Sequence, residues 1–119
     1  MDNVIFLIAN TNLKRYFIPM EKCKPHYQLD AVKAVVSQLG KMAFTRTALF
    51  NSLAMGLSGD EAIGVVLTLS KEMFYKSMTT HTDHTLWQDV YHAPCPNGKM
   101  AYVKITLRDG TVIIQFKER

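Results

Sequence analysis

Residues 74–91, FYKSMTTHTDHTLWQDVY, concentrate side chains that can donate or accept protons. The segment holds one lysine, two histidines, two aspartates, two tyrosines, one glutamine and four threonines. A strand that only enters a core does not need this many polar groups. The segment is therefore a candidate catalytic edge or nucleic-acid contact surface. Alternatively, it is only a polar loop that leads into a buried strand and has no role in function.

The last third of the chain alternates between apolar and polar residues, a pattern typical of β-strands. Asp109-Gly110 lies between two such runs and predicts a two-residue hairpin turn. With that turn, Arg108 lies opposite Thr111, and the register of the whole hairpin follows. One face then carries only apolar residues, which we expect in the core: Val103, Ile105, Leu107, Val112, Ile114 and Phe116.

The other face of this hairpin is the candidate site. The same register places Tyr102 opposite Lys117 and Lys104 opposite Gln115. Directly opposed Cβ atoms in an antiparallel pair lie about 5 Å apart. The pattern thus predicts that a phenol and two ammonium groups share one small patch. Lys104 and Arg108 are weaker candidates, either contacts to a nucleic-acid backbone or solvated charges.

The elements that must position this patch are three helices and further strands. The first helix is predicted in the segment after Pro25, where apolar residues from Leu29 to Leu39 fall at helical spacing, and it stops at Gly40. The second follows the N-cap Thr45 and ends before Gly56. Ser58 and Glu61 form a capping-box pattern that starts a third helix, from about Gly59 to Leu69, and a short turn, KEMFYK, follows Ser70. A strand from His84 to Tyr91 and a PNG turn at 96–98 complete a three-stranded antiparallel meander. The predicted fold class is α+β.

The alternation in the first predicted strand does not decide which face is buried. Gln88 shares a face with Val90, so Gln88 is either a buried amide or a site residue. Trp87 and Tyr91 share the other face and could stack on bases, although bulky aromatic residues on a central strand are more often core. His84 could take an acid–base or RNA-contacting role, but a loop histidine that bonds its own turn is commoner.

Composition limits the class of protein. The chain has 119 residues, of which 48% are hydrophobic and 20% charged, as expected for one globular domain. Its formal charge of +4 favours polyanionic partners. The two cysteines predict a reducing cytoplasmic location rather than a disulfide-stabilised secreted domain. The short apolar run near the N-terminus has neither the length of a membrane span nor the flanks of an export signal.

One further set of residues has the chemistry of a metal site. Cys23 and His26 form a C-x-x-H pattern, and His92 and Cys95 form an H-x-x-C pattern. Zinc accepts such ligands if folding brings them together. Nothing in the sequence indicates that the two halves meet, so we expect no metal and no cofactor.

The block from Phe74 to Tyr91, together with AYVKIT and the final FKER, resembles the motility quorum-sensing regulator (MqsR) family of bacterial toxins. The resemblance begins at MEKCKPH, residues 20–26, and runs to the C-terminus. It implies a RelE-like α+β fold and a ribosome-independent, sequence-selective mRNA endoribonuclease. It also implies a partner antitoxin with a zinc-binding part and a helix-turn-helix part, through which any contact with DNA is indirect.

The resemblance also implies a set of active residues, which fall on Lys76, Gln88, Tyr102 and Lys117. RNA supplies its own nucleophile, the 2′-hydroxyl, so such a site needs only acid–base groups and positive charge at the phosphate. We expect Lys76 and Lys117 to hold the phosphate, Tyr102 to orient or exchange a proton, and Gln88 to hydrogen-bond the RNA. Lys104 is a candidate to lower the pKa of a neighbouring lysine.

Two alternatives to RNA cleavage remain open at this point. The chain could bind RNA without cleaving it, or act in transcription only through a complex with its antitoxin. We also expect residues 1–19 to be an extension, with the toxin domain spanning 20–119 and translation starting at Met20.

Overall fold

The computed structural model describes residues 7–9 and 15–119. Near the N-terminus, strands β1 (Leu7–Ala9) and β2 (Arg15–Phe17) pair antiparallel in a small sheet of their own. The expectation that residues 1–19 are an extension lies largely outside the described residues, and it stays a prediction.

Three α-helices follow, as predicted: α1 (Leu29–Leu39), α2 (Arg46–Ala54) and α3 (Gly59–Leu67). The Thr45 side chain accepts a hydrogen bond from the backbone of Ala48 at the start of α2. Ser58 and Glu61 form the predicted capping box of α3. The third helix ends two residues earlier than expected, at Leu67 rather than Leu69.

The main sheet has five antiparallel strands in the order β3-β4-β5-β6-β7. These strands are β3 (Glu21–Lys22), β4 (Phe74–Thr79), β5 (Trp87–Pro94), β6 (Met100–Arg108) and β7 (Thr111–Glu118). The predicted three-stranded meander corresponds to strands β5, β6 and β7 of this sheet. The meander prediction was incomplete, because β4 and the two-residue β3 extend the sheet beyond β5.

Two element predictions in the segment 70–91 were wrong. The turn after Ser70 covers only Lys71–Met73, and Phe74 already begins β4. The strand predicted from His84 starts at Trp87 and continues to Pro94. Residues 80–86 instead form a loop in which the Thr80 hydroxyl and the Asp83 carboxylate bond nearby backbone groups. Short polar side chains that bond their own backbone favour turns over strands.

The closing hairpin has the predicted register. Arg108 pairs with Thr111 and Tyr102 with Lys117. Asp109 and Gly110 both have positive φ, 53° and 73°, as this tight turn requires. Of the six residues of the predicted apolar face, five are fully buried and Leu107 is partly buried against the same core.

The helices cover one face of the sheet and leave the other open. Val32, Val36, Val66 and other apolar side chains from the helices pack on the buried face, with Tyr91 among the largest residues enclosed. Asp89 is also buried on this side, where its carboxylate accepts hydrogen bonds from the backbone N–H groups of His26 and Tyr27. This arrangement is the predicted α+β class and is consistent with a RelE-like toxin fold. None of the described helices is long and apolar enough to cross a bilayer.

Candidate active site

The open face of the sheet carries the four residues that the resemblance implicates. Tyr102 pairs with Lys117 on one side and with His92 on the other. In β4 the register with β5 shifts between Phe74 and Lys76, which is a β-bulge. Because a bulge re-aims side chains, Phe74 packs on the buried Tyr91 while Lys76 pairs with Val90 on the open face.

Tyr102 is the centre of this surface. The Nζ atom of Lys117 lies 5.0 Å from the centroid of its ring, and that of Lys104 lies 5.9 Å away. The ring of His92 lies 5.8 Å from it and stacks in turn on Tyr75, at 4.4 Å between centroids. The aromatic hydroxyl and the terminal lysine therefore lie on the same side of the sheet, as the hairpin register predicted.

A cleft of about 370 Å³ runs beside this cluster, between α2 and the end of the sheet. Tyr102, Lys104, Gln115 and Lys117 line the sheet side of the cleft. The facing wall consists of α2 and its N-cap, with hydroxyl and amide groups from Thr45, Thr47 and Asn51. The α2 helix is fixed here because Asn51 donates a hydrogen bond from its side chain to the carbonyl of Phe116 in the edge strand β7.

Lys76 is held as a cation on the far side of Tyr102. Its Nζ atom lies 2.7 Å from a carboxylate oxygen of Glu21, on the neighbouring strand β3. That hydrogen bond is the largest of the influences that raise the pKa of Lys76, and burial opposes it only in part. A lysine that keeps its proton fits phosphate binding or proton donation, and it does not fit the role of a base.

Lys104 has the opposite protonation tendency. Burial has the largest effect, followed by the positive charges of Lys117 and Lys76, and together they lower the pKa of Lys104. Among these lysines, Lys104 is therefore the one whose pKa is lowered by its neighbours. The Lys104 side chain is half-buried in the cleft, which favours a role in the site over a plain solvated charge.

The Tyr102 hydroxyl keeps its proton. Burial is the main cause that raises the pKa of Tyr102, and the Lys76 charge opposes it. His92, which no sequence argument selected for catalysis, lies beside Tyr102 on the same face. Burial, then the charge of Arg119, lowers the pKa of His92, so the imidazole is neutral at neutral pH. Only the register of β5 against β6 reveals this neighbour.

Gln88 lies on the open face, so the site alternative for this residue is favoured over a buried amide. It is half-buried, and its Nε2 atom donates a weak hydrogen bond to the Thr106 hydroxyl at 3.5 Å. Gln88 pairs with Met78 on β4. It lies two residues before Val90, the residue that pairs with both Lys76 and Lys104. It does not line the cleft between α2 and the sheet.

Two of the three weaker RNA-binding candidates lie away from the cluster. Arg108 is exposed at the hairpin end of β6, and His84 is exposed in the loop before β5. At about 3.3 Å per residue, Arg108 lies roughly 20 Å along β6 from Tyr102. Both affect the pKa of Asp83, which is lowered mainly by hydrogen bonds from Thr85. The structure thus groups His84 and Arg108 with each other and not with the lysines.

The remaining sequence candidates have structural roles in the described chain. Tyr91 is core, as expected, whereas Trp87 is only half-buried and lies outside the core cluster. Its ring is covered by His26, which stacks on it, and by Lys22, whose Nζ atom lies 4.0 Å from the ring centroid. Among the described residues, no three histidine, cysteine or acidic side chains come together as metal ligands. The hypothetical site of Cys23, His26, His92 and Cys95 therefore does not assemble.

Comparison with known proteins shows the family of the chain. The model of the family described as "Motility quorum-sensing regulator, toxin of MqsA" matches residues 24–118. This chain belongs to the MqsR toxin family. A relative from Escherichia coli (strain K12), named mRNA interferase toxin MqsR, is 45% identical over 100 residues, which are 84% of this chain and 100% of that protein. The region matched by the family model contains Lys76, Gln88, Tyr102, Lys104 and Lys117, which form the open-face cluster.

Proposed function

We propose that this chain is the toxin of a type II toxin–antitoxin pair and that it cleaves mRNA at selected sequences without a metal ion, which blocks translation. The observation that supports this most directly is the cluster around Tyr102. A protonated phenol and three lysine side chains lie there on one open sheet face, beside a cleft. Membership of the MqsR toxin family and the name of the Escherichia coli relative support the same reaction.

The reaction that suits these groups is attack of the RNA 2′-hydroxyl on the adjacent phosphate. Charge builds up on the phosphate oxygens in the transition state, and preorganised cations stabilise it there. Lys76 and Lys117 take this role, because Lys76 is held cationic by Glu21 and Lys117 is exposed beside Tyr102. Tyr102 donates a proton or hydrogen bond, and Gln88 binds the sugar, base or phosphate of a neighbouring nucleotide.

The same proposal includes a partner. The family description names its members as toxins of MqsA, so we infer a cognate antitoxin for this chain, with a zinc-binding part and a helix-turn-helix part. Any effect on DNA then passes through that antitoxin. Residues 20–119 would form the toxin domain that the antitoxin neutralises.

The test is incubation of the purified chain with a defined single-stranded RNA in EDTA, followed by mapping of the cleaved ends. A matched RNA carries a 2′-deoxynucleotide at the mapped position. We expect cleavage of the first RNA with EDTA present and none of the second. Binding without cleavage of either RNA would replace the proposal by an RNA-binding role, and cleavage that EDTA abolishes would contradict the metal-free mechanism.

A further inference from the structure

We propose that Lys104 is the residue that takes the proton from the attacking 2′-hydroxyl, a catalytic role beyond the four residues that the family resemblance implicates. This inference rests on the proposed ribonuclease function. Three features of the described residues carry it: the position of Lys104 in the cluster, its surroundings, and the contrast with the other lysines.

Lys104 lies in the middle of the four implicated residues. Val90 of β5 pairs with Lys104 on one side and with Lys76 on the other, so the two lysines are at the same level of the sheet. On the same face of β6, Tyr102 lies two residues before Lys104. Thr106, the hydrogen-bond partner of Gln88, lies two residues after it. A phosphate bound between these groups would therefore be within reach of Lys104.

The surroundings of Lys104 disfavour its charged form. On β7 it faces Gln115, with Lys117 diagonal to it, and β4 contributes Lys76. The α2 wall of the cleft offers the uncharged Thr45, Thr47 and Asn51, and β5 offers His92 beside Tyr102. The nearby carboxylate, Glu21, is engaged by Lys76. In the described part of the chain, Lys104 itself forms no ion pair.

The pKa of Lys104 is shifted in the opposite direction from that of Lys76. Burial and the charges of Lys117 and Lys76 lower the pKa of Lys104, whereas Glu21 raises the pKa of Lys76. At a given pH the neutral amine is therefore more populated on Lys104 than on Lys76. A base must be neutral before it can accept a proton, and a phosphate clamp must be charged.

The step balances without any further reactant. The neutral Nζ atom of Lys104 takes the proton of the 2′-hydroxyl as the bond between the 2′-oxygen and phosphorus forms. The bond from phosphorus to the 5′-oxygen breaks, and that oxygen takes the proton of the Tyr102 hydroxyl. The products are a 2′,3′-cyclic phosphate and a 5′-hydroxyl. The enzyme is restored when Lys104 gives its new proton to solvent and Tyr102 takes one from solvent.

The first experiment replaces Lys104 by arginine, which keeps the charge but does not lose its proton near neutral pH. We expect Lys104→Arg to lower the single-turnover cleavage rate about 10²-fold or more, the usual contribution of a general base. Its Kd for a non-cleavable 2′-O-methyl RNA should stay within a few-fold of wild type. Lys33→Arg, on a half-buried lysine of α1 outside the cleft, is the matched control and should cleave normally.

The second experiment covers the case in which arginine disturbs the packing of the cleft. Lys104→Cys is made together with Cys23→Ser, which removes the exposed thiol, and the new cysteine is aminoethylated to give a lysine analogue with a more acidic ammonium group. We expect activity to return and the rising limb of the pH–rate profile to move to lower pH. The alkylated Cys23→Ser parent controls for reaction at the buried Cys95.

Three results would overturn the inference. One is a Lys104→Arg rate within a few-fold of wild type, and another is an aminoethylated protein whose pH limb does not move. The third is a limb at or below the usual histidine value of about 6.5 that His92→Asn abolishes, because that would make His92 the base. Failure of the wild-type chain to cleave any RNA would instead overturn the proposed function and this inference with it.

Discussion

At the scale of single residues, protonation divides the polar groups of the open face into two kinds. Lys76 and Tyr102 keep their protons, the first because of Glu21 and the second because of burial, each through a raised pKa. Lys104 and His92 are shifted toward their neutral forms by lowered pKa values. The open face therefore holds groups that can donate a proton next to groups that can accept one, as general acid–base catalysis requires.

Removal of one hydroxyl tests the donor role of Tyr102. Tyr102→Phe keeps the ring that contacts His92 and the lysines, so we expect the free energy of unfolding to stay within about 1 kcal/mol of wild type. The cleavage rate should fall roughly 10²- to 10³-fold, the usual effect of losing one positioned donor. The measurement is single-turnover cleavage of the defined RNA.

Tyr27→Phe is the matched control for that variant. The Tyr27 hydroxyl donates a hydrogen bond of 2.7 Å to the backbone of Trp87, on the helix side of the sheet. Its loss should cost about 1 kcal/mol of stability and leave cleavage by the folded protein unchanged. Equal cleavage by Tyr102→Phe and Tyr27→Phe would contradict the role given to Tyr102.

At the scale of elements, the closing hairpin sets the distance between Tyr102 and Lys117. Gly110 has a φ of 73°, in the left-handed region that a side chain disfavours. Gly110→Ala should therefore lower the free energy of unfolding by about 1–2 kcal/mol. Chemical denaturation measures this change.

Gly64→Ala in α3 supplies the comparison for that hairpin variant. A Cβ atom at Gly64 meets nothing within 4 Å, and its backbone is helical. Alanine there should stabilise the protein by about 0.5–1 kcal/mol. If Gly110→Ala leaves the free energy of unfolding unchanged or raises it as Gly64→Ala does, the backbone argument for Gly110 is wrong.

The packing of the segment before α1 depends on one buried carboxylate. Asp89 accepts hydrogen bonds from His26 and Tyr27 and so fixes that segment to the central strand β5. Asp89→Ala leaves those N–H groups without their partner and should cost about 1.5–3 kcal/mol. Thermal unfolding of the variant gives the value, and an unchanged unfolding midpoint would contradict the assignment.

At the scale of the whole molecule, the positively charged residues include a group of three lysines at the site. The net charge is +4, and the open-face cluster holds Lys76, Lys104 and Lys117 within one patch. Each phosphate neutralised on single-stranded RNA changes the slope of log K against log salt by about 0.7. Lys117→Gln should reduce the magnitude of the slope for a 2′-O-methyl RNA by about that amount.

Lys99→Gln provides the reference for the salt experiment. Lys99 lies 3.7 Å from Glu118 and outside the cleft, so its removal should leave the slope unchanged. Identical slopes for Lys117→Gln and wild type would mean that Lys117 does not contact phosphate.

Sequence reasoning predicted the part of the site that one short turn determines. Asp109-Gly110 fixes the hairpin register, and that register alone placed Tyr102 beside Lys117. The three helices were predictable for the same reason, because local caps such as Ser58 mark where a helix starts.

The rest of the site depends on pairings between distant segments. The bulge in β4 and the Glu21–Lys76 pair require β3, which lies 55 residues away from Lys76 in sequence. The lowered pKa of Lys104 needs Lys76 and Lys117 from two other strands. No local pattern contains these contacts, so neither the protonation of Lys104 nor the position of His92 could be predicted.

The measurement that tests the account most directly is the single-turnover cleavage rate of one defined RNA in EDTA, compared between wild type, Tyr102→Phe and Lys117→Ala. We predict cleavage by wild type and a fall of roughly 10²-fold or more in each variant, with both variants folded. Wild-type rates from both variants would contradict the claim that the open face around Tyr102 is where the RNA is cut.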